Sequence, residues 1–163
     1  MPLQRLLASG CAAALAATVY SAPPASAGGR CWKPKRSEIA FLHKTNKARG
    51  SLGRLRLDPQ LSKVARVHTR AMTRRNLLFH SSSSQLSRRV TNWILLGENV
   101  GYGSTVASLH RAFMTSPPHR ANIRRGRFRH VGIGVRRRHG RMWVTAIFQA
   151  RSNPGTTLRM QTC

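Results

Sequence analysis

Apolar residues recur along this chain in two rhythms, and the change between them divides it. Leu61, Val64, Ala65, His68 and Met72 fall on one face of a 3.6-residue repeat. Asp58 stands where an N-cap belongs and Pro59 at the first helical position, so a helix is predicted to start there. Ser37 as N-cap, with Ile39 and Leu42 three apart, predicts an earlier helix that Gly50 and Gly53 end. A third runs from Thr105 to Met114, with Val106, Leu109 and Phe113 on one face. Ser116-Pro117-Pro118 breaks it, and Pro118 opens a short helix through Ile123. Residues 81–84 are four serines and read as a loop; Val90 to Leu96 is a short apolar piece, helix or strand. After that the period shortens to two. Val131, Ile133 and Val135 alternate with Gly132, Gly134 and Arg136, which predicts a half-buried strand. His139-Gly140 supplies a turn, and Met142 to Phe148 a second strand, so the pair reads as an antiparallel hairpin. Helices first and a hairpin last indicate an α+β domain with helices packed on an antiparallel sheet.

The first residues follow neither rhythm. Arg5 is followed by apolar and small residues from Leu6 to about Tyr20, and Ala25 and Ala27 flank Ser26. A basic start, a short apolar core and a small-x-small exit make a secretory signal peptide over residues 1–27. The apolar core is too short for a membrane span, which needs about 20 residues. Residues 28–36 then form a lead-in, 37–150 the domain and 151–163 a tail. Removal of 1–27 takes Cys11 away and leaves Cys31 and Cys163 near the two ends. In an oxidising compartment an even pair reads as one disulfide, and two free thiols are the alternative. A loop of that length is worth about 4 to 5 kcal/mol in the chain-entropy model.

Charge changes the picture most. The chain has 29 Lys and Arg against 3 Asp and Glu, a formal net charge of +26, and only Lys33, Lys35, Lys44, Lys47 and Lys63 are lysines. Such a field attracts anionic polymers and anionic lipid surfaces. For an exported protein, envelope polymers or an anionic membrane surface rank above genomic DNA. Specific nucleic-acid recognition is not expected: no helix-turn-helix or zinc-finger spacing is visible, and aromatic residues, at 6%, are too few for stacking platforms.

Candidate chemistry rests on few residues. Asp58 is used as a cap, and Glu38 suits the first turn of a helix. Glu98 has no such role; it sits in Gly97-Glu98-Asn99, which reads as a tight turn. His80 opens the serine segment and His119 follows two prolines. Two imidazoles and a carboxylate can hold a divalent cation such as zinc, or can simply hydrogen-bond one another. His68, on an apolar face, reads as a packed core histidine. His43, His110, His130 and His139 lie among basic residues and read as surface.

The order LDPQLSKVARVHTRAM (57–72), NLLFH (76–80), GENVGYG (97–103), FMTSPPHRANI (113–123), RFRHVGIGV (127–135) and MWVTAIF (142–148) resembles the CAP superfamily. That family groups cysteine-rich secretory proteins, antigen five and plant pathogenesis-related proteins; the short bacterial members are the most similar. The resemblance covers roughly residues 37–150. It implies an α-β-α sandwich with a central antiparallel sheet and an open cleft lined by two histidines and acids. His80, Glu98 and His119 match the cleft positions, with Arg120 and Asn122 in the helix after the second histidine. A second acid of the eukaryotic members is replaced by Ser116. Lys44, Lys47, Ala71 and Phe113 are further departures, most of them toward positive charge. No single reaction is common to the family, so the resemblance implies first a secreted binding protein, for a divalent cation, a small lipid or an envelope polyanion. A metal-assisted peptidase or cell-wall hydrolase using the same cleft stands second.

Overall fold

The computed structural model describes residues 32–151. The expected signal peptide, and Cys31 and Cys163 with their expected disulfide, lie outside the described residues.

Five helices and four strands follow in the order α1 (Arg36–Arg49), β1 (Arg56–Leu57), α2 (Pro59–Arg75), α3 (Ser83–Arg89), β2 (Trp93–Gly103), α4 (Val106–Thr115), α5 (Pro117–Arg124), β3 (His130–Arg138) and β4 (Arg141–Arg151). The sheet order is β1-β3-β4-β2. The three long strands pair antiparallel, as expected of the central sheet, while the two-residue β1 adds a parallel pair against His130 and Val131. The sheet is therefore mixed. Helices α2 and α3 cover one face, through Leu61, Val64, Ala65, Leu86, Val90 and Ile147. Helices α1, α4 and α5 cover the other, where Phe41, Leu109, Phe113, Ile123, Phe128 and Phe148 form the larger core. The result is the expected α-β-α sandwich. No helix among the described residues is long and apolar enough to cross a membrane.

Local chemistry explains most boundaries. Asp58 caps α2 by accepting the Leu61 N–H at 3.0 Å. It also pairs with Arg151, 93 residues away, which no local pattern announces. Helix α1 starts two residues earlier than Ser37 suggested: Lys35 is its N-cap, and Glu38 reaches back to the Lys35 N–H at 2.9 Å. Glu38 is fully buried and is also held by Arg66, whose Nε donates at 2.7 Å. The serine segment is only partly a loop. Ser82 and Gln85 form a reciprocal capping box that starts α3. The hairpin turn is as expected, with His139 and Gly140 both at positive φ (52° and 68°), as a two-residue loop of this hand requires.

Glycine misleads the sequence reading at two places. Gly97-Glu98-Asn99 is no turn; it lies in the middle of the 11-residue strand β2. A Cβ at Gly97 would stand 2.8 Å from Asn122 Oδ1, and one at Gly101 2.7 Å from Phe113 Cε1. These glycines admit α4 and α5 close to the strand. Similarly, β3 is buried on both faces up to Val135, not half-buried. Its glycine face is the seat of α2.

Candidate functional site

The site is organised by two neighbouring residues on the sheet edge. Strand β2 has a partner on one side only, β4. Successive side chains along it point to opposite faces. Glu98 faces the α2–α3 layer and Asn99 the α4–α5 layer, and each holds one histidine-bearing segment.

On the first side, Glu98 accepts from His80 Nδ1 at 2.9 Å and from the Ser81 N–H at 2.9 Å. Its other oxygen accepts from Ser81 Oγ at 2.8 Å. The carboxylate is nearly buried, with a side-chain exposure of 6%. His68 joins from α2. Its Nε2 lies 2.8 Å from the Phe79 carbonyl and its Nδ1 3.1 Å from Ser81 Oγ. A carbonyl can only accept, so His68 Nε2 carries hydrogen. Ser81 has one hydroxyl hydrogen facing two takers, His68 Nδ1 and Glu98 Oε1. His68 and Glu98 thus both close on the Ser81 hydroxyl.

On the second side, Asn99 donates to the His119 carbonyl at 2.9 Å. Asn122 donates to Asn99 Oδ1 at 2.9 Å and to the Glu98 carbonyl at 3.2 Å. These bonds lock the start of α5 against β2. Ser116, the residue before α5, makes no side-chain capping bond. Its hydroxyl turns instead to His119 Nδ1 at 2.9 Å. The His119 ring lies against Phe113, with centroids 4.7 Å apart. Burial lowers the pKa of His119 from its usual value, and the positive charge of nearby His80 adds a smaller push the same way.

The three candidates are therefore held by one strand: His80 directly by Glu98, His119 through Asn99. The sequence reading missed four supporting residues. His68 is buried, as expected, but its ring is fully engaged by polar partners. Ser81 and Asn99 stood beside marked residues and carried no signal of their own, and Asn122 was marked only by the family resemblance, without its contacts to Asn99 and Glu98. His110 and His130 are not surface residues; each is 7% exposed. His110 turns inward on α4, its ring edge-on to Phe41 at 5.5 Å. His130 lies by Asp58 and Arg151 at the start of β3. Their basic sequence neighbours sit on other faces of the same elements. His43 and His139 are exposed as expected.

A groove of ≈ 530 Å³ leads away from His80, Ser81 and Glu98 between α3 and β2. Leu86, Trp93 and Ile94 make its far end, and His119 is not part of its wall.

Three histidines share one pH consequence. Burial is the main cause lowering the pKa of His110, His119 and His130. The folded state disfavours their charged forms, so the unfolded chain binds more protons. Stability is then complete above the ordinary histidine value of about 6.5 and falls as pH drops through the lowered values. Thermal melting should accordingly shift to lower temperature between neutral and mildly acidic pH; a flat profile would contradict the burial of these rings.

Comparison with known proteins follows the same outline. The family model described as "CAP: Cysteine-rich secretory protein family" matches residues 42–148, well over half of the chain. No curated protein matches as a relative. Among solved structures, an outer surface protein from Borrelia burgdorferi is similar at 16% identity with a TM-score of 0.67, over 76% of this chain and 99% of that one. An extracellular protein containing an SCP domain from Bacillus anthracis is similar at 25% identity with a TM-score of 0.60, over 69% of this chain and 40% of that one. A cysteine-rich secretory protein from Staphylococcus aureus gives 21% identity and a TM-score of 0.57, over 69% and 38%. The chain thus spans well under half the length of these last two proteins. The fold, the matched segment and the ordered motifs together place the chain in the CAP, or cysteine-rich secretory protein, family.

Proposed function

We propose that this chain is a secreted, non-enzymatic binding protein, held on envelope polyanions by its cationic surface and carrying a His/Glu cleft for a divalent cation. The observation that carries the first part is the fate of the acids. Glu38 pairs with Arg66, Asp58 with Arg151, and Glu98 with His80 and Ser81. The chain's three carboxylate side chains are thus spent on internal contacts, and the large excess of arginine is left to solvent and to partners. Secretion is supported by the signal-like first 27 residues and by similarity to proteins described as extracellular or outer-surface.

Exposed charges interact over about 10 Å at 0.1 M salt and about 3 Å at 1 M. Retention on isolated cell wall or anionic vesicles should therefore be strong at low salt and lost at 1 M NaCl. Retention that persists at 1 M NaCl would sink this reading.

At most two imidazole nitrogens are offered to a cation, which would then be held lightly. Among the described residues no three His, Cys, Asp or Glu side chains stand as a metal-binding group. His80 and His119 each have Nδ1 engaged, by Glu98 and Ser116. Their Nε2 atoms are the nitrogens left for a metal such as zinc, which would act there as a Lewis acid. Glu98 then orients His80 from behind, the usual place of a carboxylate supporting a ligating imidazole. Binding is favoured over hydrolysis because Glu98, nearly buried, is engaged by His80 and by the N–H and hydroxyl of Ser81.

A further inference from the structure

Helix α2 carries a second polar face that the cleft does not use. His68 looks toward Glu98. Arg66 and Arg70, two residues before and after it, lie about 200° round the helix at 100° per residue. There they meet Lys35 from the lead-in and Arg136 and Arg137 from β3 around a pocket of ≈ 310 Å³, with buried Thr69 in its wall.

We propose that this pocket is an anion site that takes a phosphate-type group. Five cationic residues from three separate segments line one concavity. The carboxylate beside it, Glu38, is fully buried and bound to Arg66 and to the Lys35 N–H. That contact fixes the Arg66 fork and leaves nothing to neutralise the rest. Arg66 Nη2 is further tied to the Lys33 carbonyl at 2.9 Å, and its guanidinium lies 5.9 Å from the Trp32 ring centroid. Arg137 is steadied by the Ser104 carbonyl at 3.1 Å. Arg66 is thus already paired and Arg137 tethered, which leaves Arg70, Arg136 and Lys35, exposed at the rim, as the cations open to an anion. A concave wall of one sign focuses its field. Arginine forks match the tetrahedral oxygens of a phosphate better than an ammonium does. Here the fold crowds like charges together, and a bound anion removes the repulsion.

The inference rests on the cationic-surface reading but assigns it a defined place. It is tested by titrating the full chain with inorganic phosphate, and separately with phosphatidylcholine vesicles with and without phosphatidylglycerol. One double variant is Arg70→Gln with Arg136→Gln. The control is Arg88→Gln with Arg124→Gln, which removes the same charge from exposed sites elsewhere. Phosphate should shift the backbone amide signals of Thr69 and Arg70, and the pocket variant should bind at least about tenfold more weakly, from two lost charge-assisted bonds. The control should bind phosphate as the parent does. Response to vesicles but not to free phosphate would overturn the pocket in favour of a spread surface field. Equal losses in both variants would do the same. Salt-sensitive wall retention with no phosphate binding would remove the pocket alone; absence of retention as well would remove the broader reading.

Discussion

Gly132→Ala is expected to destabilise the domain by about 3 kcal/mol or more, at the upper end of what overpacking costs. A Cβ there would stand 2.0 Å from the Leu61 carbonyl carbon and 2.3 Å from both Leu61 Cβ and the Ser62 nitrogen. Two of those atoms are backbone, so no rotamer change relieves the clash. Helix α2 must move off the sheet, and Leu61, Val64 and Ala65 lose their packing with it. An alanine in place of glycine normally stabilises by about 0.4–1 kcal/mol through the unfolded chain where the backbone tolerates it. That gain is too small to matter here. Gly126→Ala is the matched control, since its Cβ would meet only Leu52 Cδ2 at an ordinary 3.7 Å. Urea unfolding of the two variants gives the comparison. A loss below about 1 kcal/mol for Gly132→Ala would mean that α2 does not lie directly on β3.

Arg49→Met should cost a similar amount, for an opposite reason. Arg49 ends α1 and is only 1% exposed. Its guanidinium donates to the carbonyls of Gly53 at 2.9 Å, Ile123 at 2.7 Å, Arg125 at 3.2 Å and Phe128 at 3.0 Å. It ties the α1 exit to the segment joining α5 and β3. Methionine keeps the stem and leaves those acceptors without a donor, at about 1–3 kcal/mol for each that is truly buried. Relief of a buried, uncompensated charge offsets part of this: burial already lowers the Arg49 pKa, with Arg129 adding to it. Because several carbonyls are stranded at once, the loss dominates, and about 3 kcal/mol is expected. Arg49→Lys should rescue little, since one ammonium cannot reach four carbonyls. Urea unfolding checks both variants; full rescue by lysine would show that charge, not the fork, is what the site needs.

Much of the fold was legible because it is written locally. The Asp58-Pro59 start of α2, the helix read from Thr105 to Met114 and the His139-Gly140 turn each depend on residues close in sequence. What escaped was set at long range. Gly132, Gly134 and Gly97 read as exposed or turning positions, yet each marks where a helix or side chain presses against a strand. The pairing of Arg151 with Asp58, and the Arg49 clamp, join segments about 75 to 93 residues apart. For the cleft, the punctuated residues His80, Glu98 and His119 could be picked out from the sequence. The partners that orient them could not. Ser81, Asn99 and Asn122 are ordinary polar residues whose roles exist only once β2 is an edge strand with opposed faces. Ser116 was noted for a missing acid; its hydroxyl instead fixes the His119 ring.

The decisive question is whether β2 delivers both imidazoles to one cavity. Zinc titration followed through the ring signals of His80 and His119 by NMR answers it. Both rings should respond together at a single equivalent, and Glu98→Gln should weaken the response without abolishing it. Responses at separate zinc concentrations, or a shift at one ring with the other silent, would contradict a shared site.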